Sequence, residues 1–133
     1  MKVCFRVEPT AKGRPKTAFR NGKVWTFTPA KTKDAEEAIR AEVIREKLAA
    51  FPPHTALTLR AIFYRTKSKW LPKRENLPFR KPDLDNFLKL LLDALDGDIV
   101  PNDAQITTII IKKRWSDNGQ GHIVCELSED KGG

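Results

Sequence analysis

The amino-acid sequence predicts a small α+β domain in which two helices pack against one mixed β-sheet. Two segments, at about 29–50 and 83–96, place apolar residues at helical spacing. Shorter runs rich in β-branched and aromatic residues, at 2–8, 24–27, 58–65, 106–115 and 122–127, predict strands. Neither an internal repeat nor a linker interrupts these elements, so residues 1–133 are expected to form a single domain.

The first helix is expected to begin at Thr28 as the N-cap, with Pro29 in its first turn, and to run to about Ala50. Pro52 and Pro53 are expected to stop it. Before this helix, the segment from residue 9 to residue 22 is rich in turn-forming and basic residues, which predicts a loop. The apolar stripe of the helix consists of Ala35, Ala38, Ile39, Val43 and Leu48.

The second helix has the clearest boundaries in the sequence. Asp83 is a suitable N-cap after Pro82, and Gly97 follows the last apolar position. Beyond this helix, Asn118 and Gly119 separate the last two predicted strands, which predicts a C-terminal β-hairpin. The core face of the second helix is expected to contain Phe87, Leu88, Leu91, Leu92 and Leu95.

The net charge of +8 is concentrated in a few segments. Residues 9–30 carry five bases and no acid, and residues 65–81 carry seven bases against the single acid Glu75. Such clustering is typical of a protein that binds a polyanion, although solvated loops without a partner would have the same composition. The bases expected to contact nucleic-acid phosphates are Lys12, Arg14, Lys16, Lys67, Lys69, Lys73, Arg74, Arg80 and Lys81.

Neither a membrane nor a secreted location is expected. No uncharged run approaches the roughly 18 residues that span a bilayer, and Arg6 and Glu8 interrupt the first apolar stretch. Cys4 and Cys125 are too few and too far apart for a disulfide scaffold or a metal-ligand pattern. Free thiols in a reducing cytoplasm are the expected interpretation.

Four residues around the second helix form the candidate catalytic group: Asp83, Asp85, Lys89 and Asp103. Carboxylate oxygens are the ligands that Mg²⁺ prefers, so the three aspartates predict a metal site if they converge. Without a cation, two carboxylates ~4 Å apart would repel by about 4 kcal/mol at an effective dielectric near 20. Lys89 is the candidate for stabilising charge on a phosphate.

The same spacing has a simpler interpretation. Asp83 could serve only as a helix cap, and Asp85, Lys89 and Asp93 could form a ladder of four-residue salt bridges. Asp93 and Asp96 are expected to be solvated rather than catalytic. The spacing alone does not separate these two hypotheses.

The sequence resembles the RusA family of Holliday junction resolvases. The resemblance consists of Asp83-Leu84-Asp85-Asn86, then Lys89, then Asp103-Ala104-Gln105, in the order and spacing of that family. Lys12-Gly13-Arg14-Pro15 and residues 26–32 are similar to the branch found in Gram-positive bacteria and their phages. One departure is Asn102, which stands where many relatives have a second acid.

The resemblance implies a homodimeric endodeoxyribonuclease that cuts four-way DNA junctions in recombination and repair. It further implies that Asp83, Asp85 and Asp103 bind Mg²⁺ or Mn²⁺ and that Lys89 assists at the scissile phosphate. Two alternatives stay open: a non-catalytic nucleic-acid-binding module, and a flap or general branched-DNA nuclease. In the second basic segment, Trp70 and Phe79 are candidates either for stacking on unpaired bases or for anchoring the loop.

Overall fold

The computed structural model describes residues 1–13, 16–27 and 29–133, and for Lys16, Trp25 and Phe27 it describes the backbone alone. The strands are β1 (Lys2–Phe5), β2 (Lys16–Arg20), β3 (Lys23–Phe27), β4 (Leu57–Arg65), β5 (Ile106–Trp115) and β6 (His122–Glu129). The helices are α1 (Ala30–Arg45) and α2 (Leu84–Leu95), and a 3-10 turn, Asp103–Gln105, precedes β5.

The main sheet has four strands in the order β1-β6-β4-β5. β4 pairs parallel with β5, whereas the β4–β6 and β6–β1 pairs are antiparallel, so the predicted mixed sheet is confirmed. Along β4, the side chains of Leu57, Leu59, Ala61 and Phe63 are buried on one face. The two helices cover that face, which confirms the α+β class.

Helix α2 connects the parallel strands β4 and β5 along the chain, and it supplies much of the core. Phe87, Leu91 and Leu95 are almost fully buried, as predicted, and Leu90 and Ala94 join them. These positions repeat at three and four residues and therefore occupy one face of the helix. No helix within the described residues is long and apolar enough to cross a membrane.

Helix α1 is shorter than predicted, because it ends at Arg45 rather than near Ala50. The amide of Leu48 donates to the Val43 carbonyl and the amide of Lys47 donates to the Ile44 carbonyl, which is the Schellman arrangement. Lys47 has a positive φ of 52°, a position where glycine is usual. The sequence therefore lacked a glycine at this position, which is the common signal for the end of a helix.

The buried positions of α1 are Thr32, Ala35, Glu36, Ile39 and Val43. The predicted stripe was wrong at Ala38, which is exposed. Leu48 packs against the core, but from beyond the helix. Pro29 occupies the N-cap position, and the predicted cap, Thr28, lies outside the described residues.

The first strand ends at Phe5, three residues before the predicted end. The predicted loop at 9–22 was also wrong in part, because residues 16–20 form β2, which pairs with β3 in an antiparallel hairpin. Asn21 and Gly22 join the two strands with positive φ values of 53° and 72°. This is the two-residue turn that Asn-Gly favours, so the signal was present in the sequence.

The predicted C-terminal hairpin was wrong. β5 and β6 run in opposite directions, but β4 lies between them and pairs with both. The turn around Asn118 and Gly119 therefore carries the chain across the end of β4. The turn residues correctly predicted that the chain reverses direction between β5 and β6. They could not show that the earlier strand β4 lies between these two strands.

The core position of α2 leads to a stability prediction. Leu91→Ala should lower the free energy of unfolding by about 2–5 kcal/mol, because the side chain is fully buried and its removal leaves a cavity. Ile44→Ala is the matched control: Ile44 is 75% exposed, so its truncation should change stability by about 0.5 kcal/mol or less. Urea unfolding measures both variants, and equal midpoints would contradict this packing.

Candidate active site

The segment that leads into α2 is held against the carboxyl ends of β4 and β5. The Lys113 ammonium donates to the Arg80 carbonyl at 2.9 Å and to the Pro82 carbonyl at 3.0 Å. The Arg65 guanidinium donates to the Lys81 carbonyl at 3.4 Å. Three consecutive carbonyls are thus bound by two cations, which fixes the backbone immediately before Asp83.

Arg65 is itself fixed by aromatic rings. Its guanidinium carbon lies 5.7 Å from the ring centre of Phe87 and 5.8 Å from that of Trp115. Cation–π contacts of this kind hold a charged group in place without neutralising it. The start of α2 is therefore attached to the sheet through Arg65 as well as through Lys113.

Asp83 and Asp85 present exposed carboxylates at the start of α2. Asp83 occupies the N-cap position, yet its side chain makes no capping hydrogen bond. Asp85 lies in the first turn, and neither carboxylate forms an ion pair with a described residue. The side chain of Asp83 therefore does not cap the helix, which was the simpler interpretation of its position.

The salt-bridge ladder along α2 is absent as well. Within the described part of the chain, Lys89 is exposed and forms no ion pair with Asp85 or Asp93. Asp93 instead pairs with Lys12 at 2.9 Å, so the expectation that Asp93 is simply solvated was wrong. Lys89 is left with its charge uncompensated, four residues after Asp85.

Lys12 has its partners within the chain. Its ammonium lies 2.5 Å from a Glu36 oxygen and 2.9 Å from an Asp93 oxygen, and its amide donates to the Asn86 carbonyl. Burial opposes its charge, but the hydrogen bonds to Glu36 and Asp93 outweigh that effect and raise the pKa of Lys12. Arg40 adds a hydrogen bond to the Asp93 carbonyl at 3.0 Å. Lys12 thus joins the loop before the β2–β3 hairpin to both helices.

Asp103 lies on a separate, well-braced turn. The side-chain oxygen Oδ1 of Asn102 accepts a hydrogen bond from the backbone amide of Ala104 at 2.9 Å, and the side-chain oxygen Oε1 of Gln105 accepts one from the backbone amide of Asn102 at 3.1 Å. The Gln105 amide nitrogen also donates to the carbonyls of Pro52 and Thr55, each at 3.0 Å. This reciprocal cap holds the turn, and it gives Asn102 a role that its position in the sequence did not reveal.

One chain does not bring Asp103 to Asp83 and Asp85. Asp103 precedes the first residue of β5, whereas the segment before Asp83 is bound to Lys113, seven residues further along that strand. Seven strand residues span about 23 Å, and the twelve residues of α2 span about 18 Å. Accordingly, no group of three His, Cys, Asp or Glu side chains among the described residues could hold one metal ion.

The predicted DNA-binding residues divide into two groups. Lys12, Lys67 and Arg80 are engaged internally: Lys67 donates to the Glu75 carbonyl at 2.8 Å, and Arg80 pairs with the Glu75 carboxylate at 2.5 Å. Four others are exposed and form no ion pair with a described residue, namely Lys69, Lys73, Arg74 and Lys81. Arg14 and the side chain of Lys16 lie outside the described residues.

The loop at 66–83 is irregular, as predicted, but it is tied to the sheet. The Trp115 indole donates to the Glu75 carbonyl at 3.0 Å, and Pro78 is buried. By contrast, Trp70 is 85% exposed and Phe79 is 71% exposed. Neither side chain is buried, so the structure does not support the interpretation that Trp70 and Phe79 anchor the loop to the domain.

The fold and the site define a class of protein: a small α+β domain with exposed carboxylates at a helix start and unpaired bases on an adjoining loop. The model of the family described as "Endodeoxyribonuclease RusA" matches residues 6–126. The chain belongs to this RusA endodeoxyribonuclease family. It is also similar to the uncharacterized protein YqaN of Bacillus subtilis (strain 168), at 31% identity over 83% of this chain and 84% of YqaN.

Sequence reasoning missed the residues that position the aspartates. Gln105 stands three residues after Asn102, a spacing that indicates a capping box and could have been recognised. Lys113 and Arg65 gave no such signal, because each bonds to backbone carbonyls distant in sequence. Their roles depend on the pairing of β4 with β5, which only the folded chain shows.

The two groups of bases predict different effects on DNA binding. Lys73→Ala with Arg74→Ala should reduce the slope of log affinity against log salt by roughly 0.7–0.9 per lost phosphate contact. Lys2→Ala with Arg6→Ala removes the same charge at the opposite edge of the sheet and should leave the slope nearly unchanged. Titrations of labelled DNA at several salt concentrations measure both slopes, and equal slopes for the two variants would exclude the loop as a phosphate-binding surface.

Proposed function

We propose that this chain is a divalent-metal-dependent, structure-specific endodeoxyribonuclease that resolves Holliday junctions by paired hydrolysis of phosphodiester bonds. One observation carries the proposal: Asp83 and Asp85 are held in a fixed position, yet their carboxylates have no partner among the described residues. Membership of the RusA family supplies the reaction class. The exposed bases of the neighbouring loop supply a surface for the DNA backbone.

The donor set suits a hard divalent cation. Two exposed carboxylates at a helix start provide oxygen ligands, and Mg²⁺ is usually held by one or two carboxylates together with water. Mn²⁺ has similar ligand preferences. When bound, such an ion supplies an activated water and neutralises charge that develops on the phosphate.

The third ligand in this proposal, Asp103, comes from a second copy of the chain. Because Asp103 lies at the other end of α2 from Asp83 and Asp85, it cannot join them without a large rearrangement of its own chain. A two-fold dimer would place each Asp103 near the partner's helix start and would create two equivalent sites. Two sites related by two-fold symmetry are also what paired cuts in a four-way junction require.

The other residues have separate tasks in this scheme. Lys89, with no ion pair to the described residues, lies one helical turn after Asp85 and approaches the scissile phosphate. Lys113 and Arg65 fix the backbone that carries Asp83, and Gln105 fixes the turn that carries Asp103. Such positioning matters because small displacements of catalytic groups lower the rate steeply. The proposed setting is the cytoplasm, during DNA recombination and repair.

Substitutions that remove charge but preserve size test the proposal. Asp83→Asn, Asp85→Asn and Asp103→Asn should each reduce junction cleavage by roughly two orders of magnitude or more, because the metal loses a charged ligand. Asn is a good N-cap residue, so folding should be retained. Lys89→Met should also abolish cleavage, because it removes the positive charge beside the scissile phosphate. The helix should be retained, since Met has a similar helix propensity. The assay uses a synthetic mobile four-way junction with Mg²⁺, and thermal unfolding checks the fold.

Two controls separate the proposed function from its alternatives. Asp96→Asn removes an exposed acid at the far end of the same helix and should leave cleavage at the parent rate. Linear and flap DNA, incubated in parallel, distinguish a junction resolvase from a general branched-DNA nuclease. A parent protein that binds DNA but cuts none of these substrates at any Mg²⁺ or Mn²⁺ concentration would instead be a non-catalytic binding module.

A further inference from the structure

A pocket lies between the loop that precedes β4 and the turn that carries Asp103. Its volume is about 390 Å³, near the lower end of the range of about 300–1,000 Å³ that small-ligand sites occupy. Its walls are mostly apolar: Pro53 and Ala56 come from the loop, and Pro101 and Ala104 come from the turn and the residues before it. Because Ala104 directly follows Asp103 in the chain, a group bound in this pocket lies beside Asp103.

The loop side of the pocket is fixed in an uncommon backbone conformation. The Gln105 side-chain nitrogen donates to the carbonyls of Pro52 and Thr55, each at 3.0 Å. These two carbonyls flank His54, which has a positive φ of 61° and lines the pocket. A left-handed conformation is uncommon for a residue other than glycine and persists where the surrounding contacts impose it. Gln105 therefore holds His54 in place and connects it to the turn that carries Asp103.

The polar groups at the pocket offer hydrogen bonds that no described residue uses. The Asn102 side-chain oxygen accepts from the Ala104 amide. The Asn102 side-chain nitrogen, the His54 ring and the Thr55 hydroxyl have no hydrogen-bond partner among the described residues. None of the described residues that line the pocket bears a fixed charge, whereas phosphate contacts rely on lysine and arginine. The pocket therefore suits a neutral, planar group with apolar faces and a polar edge, and a nucleobase has this form.

We propose that this pocket receives a nucleobase next to the scissile phosphate, unstacked from its neighbours, and that His54 and Asn102 read the edge of that base. The inference rests on the proposed function, in which Asp103 binds the metal ion at the scissile phosphate. Unstacking a base costs least where its pairing is already disturbed. The branch point of a junction, where strands exchange partners, meets that condition better than a continuous duplex does. The pocket would then determine at which positions of a mobile branch point the DNA is cut.

The distribution of cuts along a mobile junction tests the base-reading role. His54→Gly removes the imidazole and suits the positive φ, so the fold should be retained. Ala104→Leu fills the pocket. In both variants the cuts should spread, and the ratio between the most and least cleaved positions should fall by roughly tenfold, as expected when a base-reading contact is lost. Lys47→Gly is the matched control, because it makes the same backbone change at a φ of 52° on the end of α1 and should keep the parent's pattern.

Abasic nucleotides locate the base that enters the pocket. Once the parent's main cut has been mapped, an abasic nucleotide replaces each nucleotide near the scissile phosphate in turn. At one position it should slow cleavage by the parent by roughly tenfold, because the contacts to the base are lost. At the same position it should not slow Ala104→Leu any further, since the filled pocket receives no base. A general loss of activity in Ala104→Leu would not produce this difference, because each variant is compared with its own rate on the unmodified junction.

Fluorescence of 2-aminopurine reports on unstacking without any cleavage. The probe replaces a base near the mapped cut, or each base around the branch point in turn if no cut is found. Binding of Asp85→Asn, which should not cut, should raise the fluorescence at one position, because 2-aminopurine brightens when it leaves the base stack. The double variant Asp85→Asn with Ala104→Leu should bind the same junction and leave the probe dark.

The base pocket is overturned if His54→Gly and Ala104→Leu keep the parent's pattern of cuts, or if no abasic position separates the parent from Ala104→Leu. Junction cleavage with either result would leave the proposed nuclease standing and remove only the pocket. A protein that cuts no DNA but brightens the probe, and does so only with the pocket open, would overturn the proposed function and keep the base-binding pocket. A protein that neither cuts DNA nor brightens the probe would overturn both.

Discussion

The parallel pairing of β4 with β5 is the constraint on which the site depends. Two parallel neighbours require a crossover connection, and here α2 provides it. The crossover must begin near the end of β4 and finish near the start of β5. The aspartates at the start of α2 and the aspartate at the turn before β5 therefore lie at opposite ends of the sheet, whatever the details of the loops.

This geometry accounts for how each half of the site is fixed. At one end, Lys113 and Arg65 bind the three carbonyls before Asp83, and Phe87 and Trp115 hold Arg65. At the other end, Gln105 binds its own turn and the loop that precedes β4. Both halves are attached to the same pair of strands, so each half is fixed by its own set of contacts.

The sequence was most informative where local chemistry determines structure. The bounds of α2, its apolar face and the Asp83–Lys89 spacing follow from helical periodicity, and the structure confirms the helix and its core face. The end of α1 at Lys47 could not be predicted, because a lysine adopts the positive φ that usually marks glycine. The Asn21-Gly22 turn could have been predicted, since its turn signal is a common one.

Long-range pairing was beyond local signals. The strands β5 and β6 have the sequence of a hairpin, yet β4 lies between them, because strand order depends on contacts between segments distant in the chain. The same limit applied to the predicted metal site: residue types and spacing identified three aspartates, but the separation of Asp103 depends on the crossover. Likewise, Lys12 has the composition of a DNA-binding residue, but Glu36 and Asp93 bind it inside the domain.

In the proposed nuclease, each active site takes Asp83 and Asp85 from one copy and Asp103 from the other. Mixing two inactive variants, Asp85→Asn and Asp103→Asn, and allowing subunits to exchange tests it most directly. If the site is shared, about half of the dimers contain one copy of each variant, and one of the two sites in each such dimer is intact. The rate at which single junction strands are nicked should therefore return to about a quarter of the parent rate. A mixture of Asp83→Asn with Asp85→Asn should stay inactive, because both substitutions alter the residues at the start of α2 and every site then lacks one of these two aspartates. If the first mixture also stays inactive although subunit exchange is verified, the shared site is wrong.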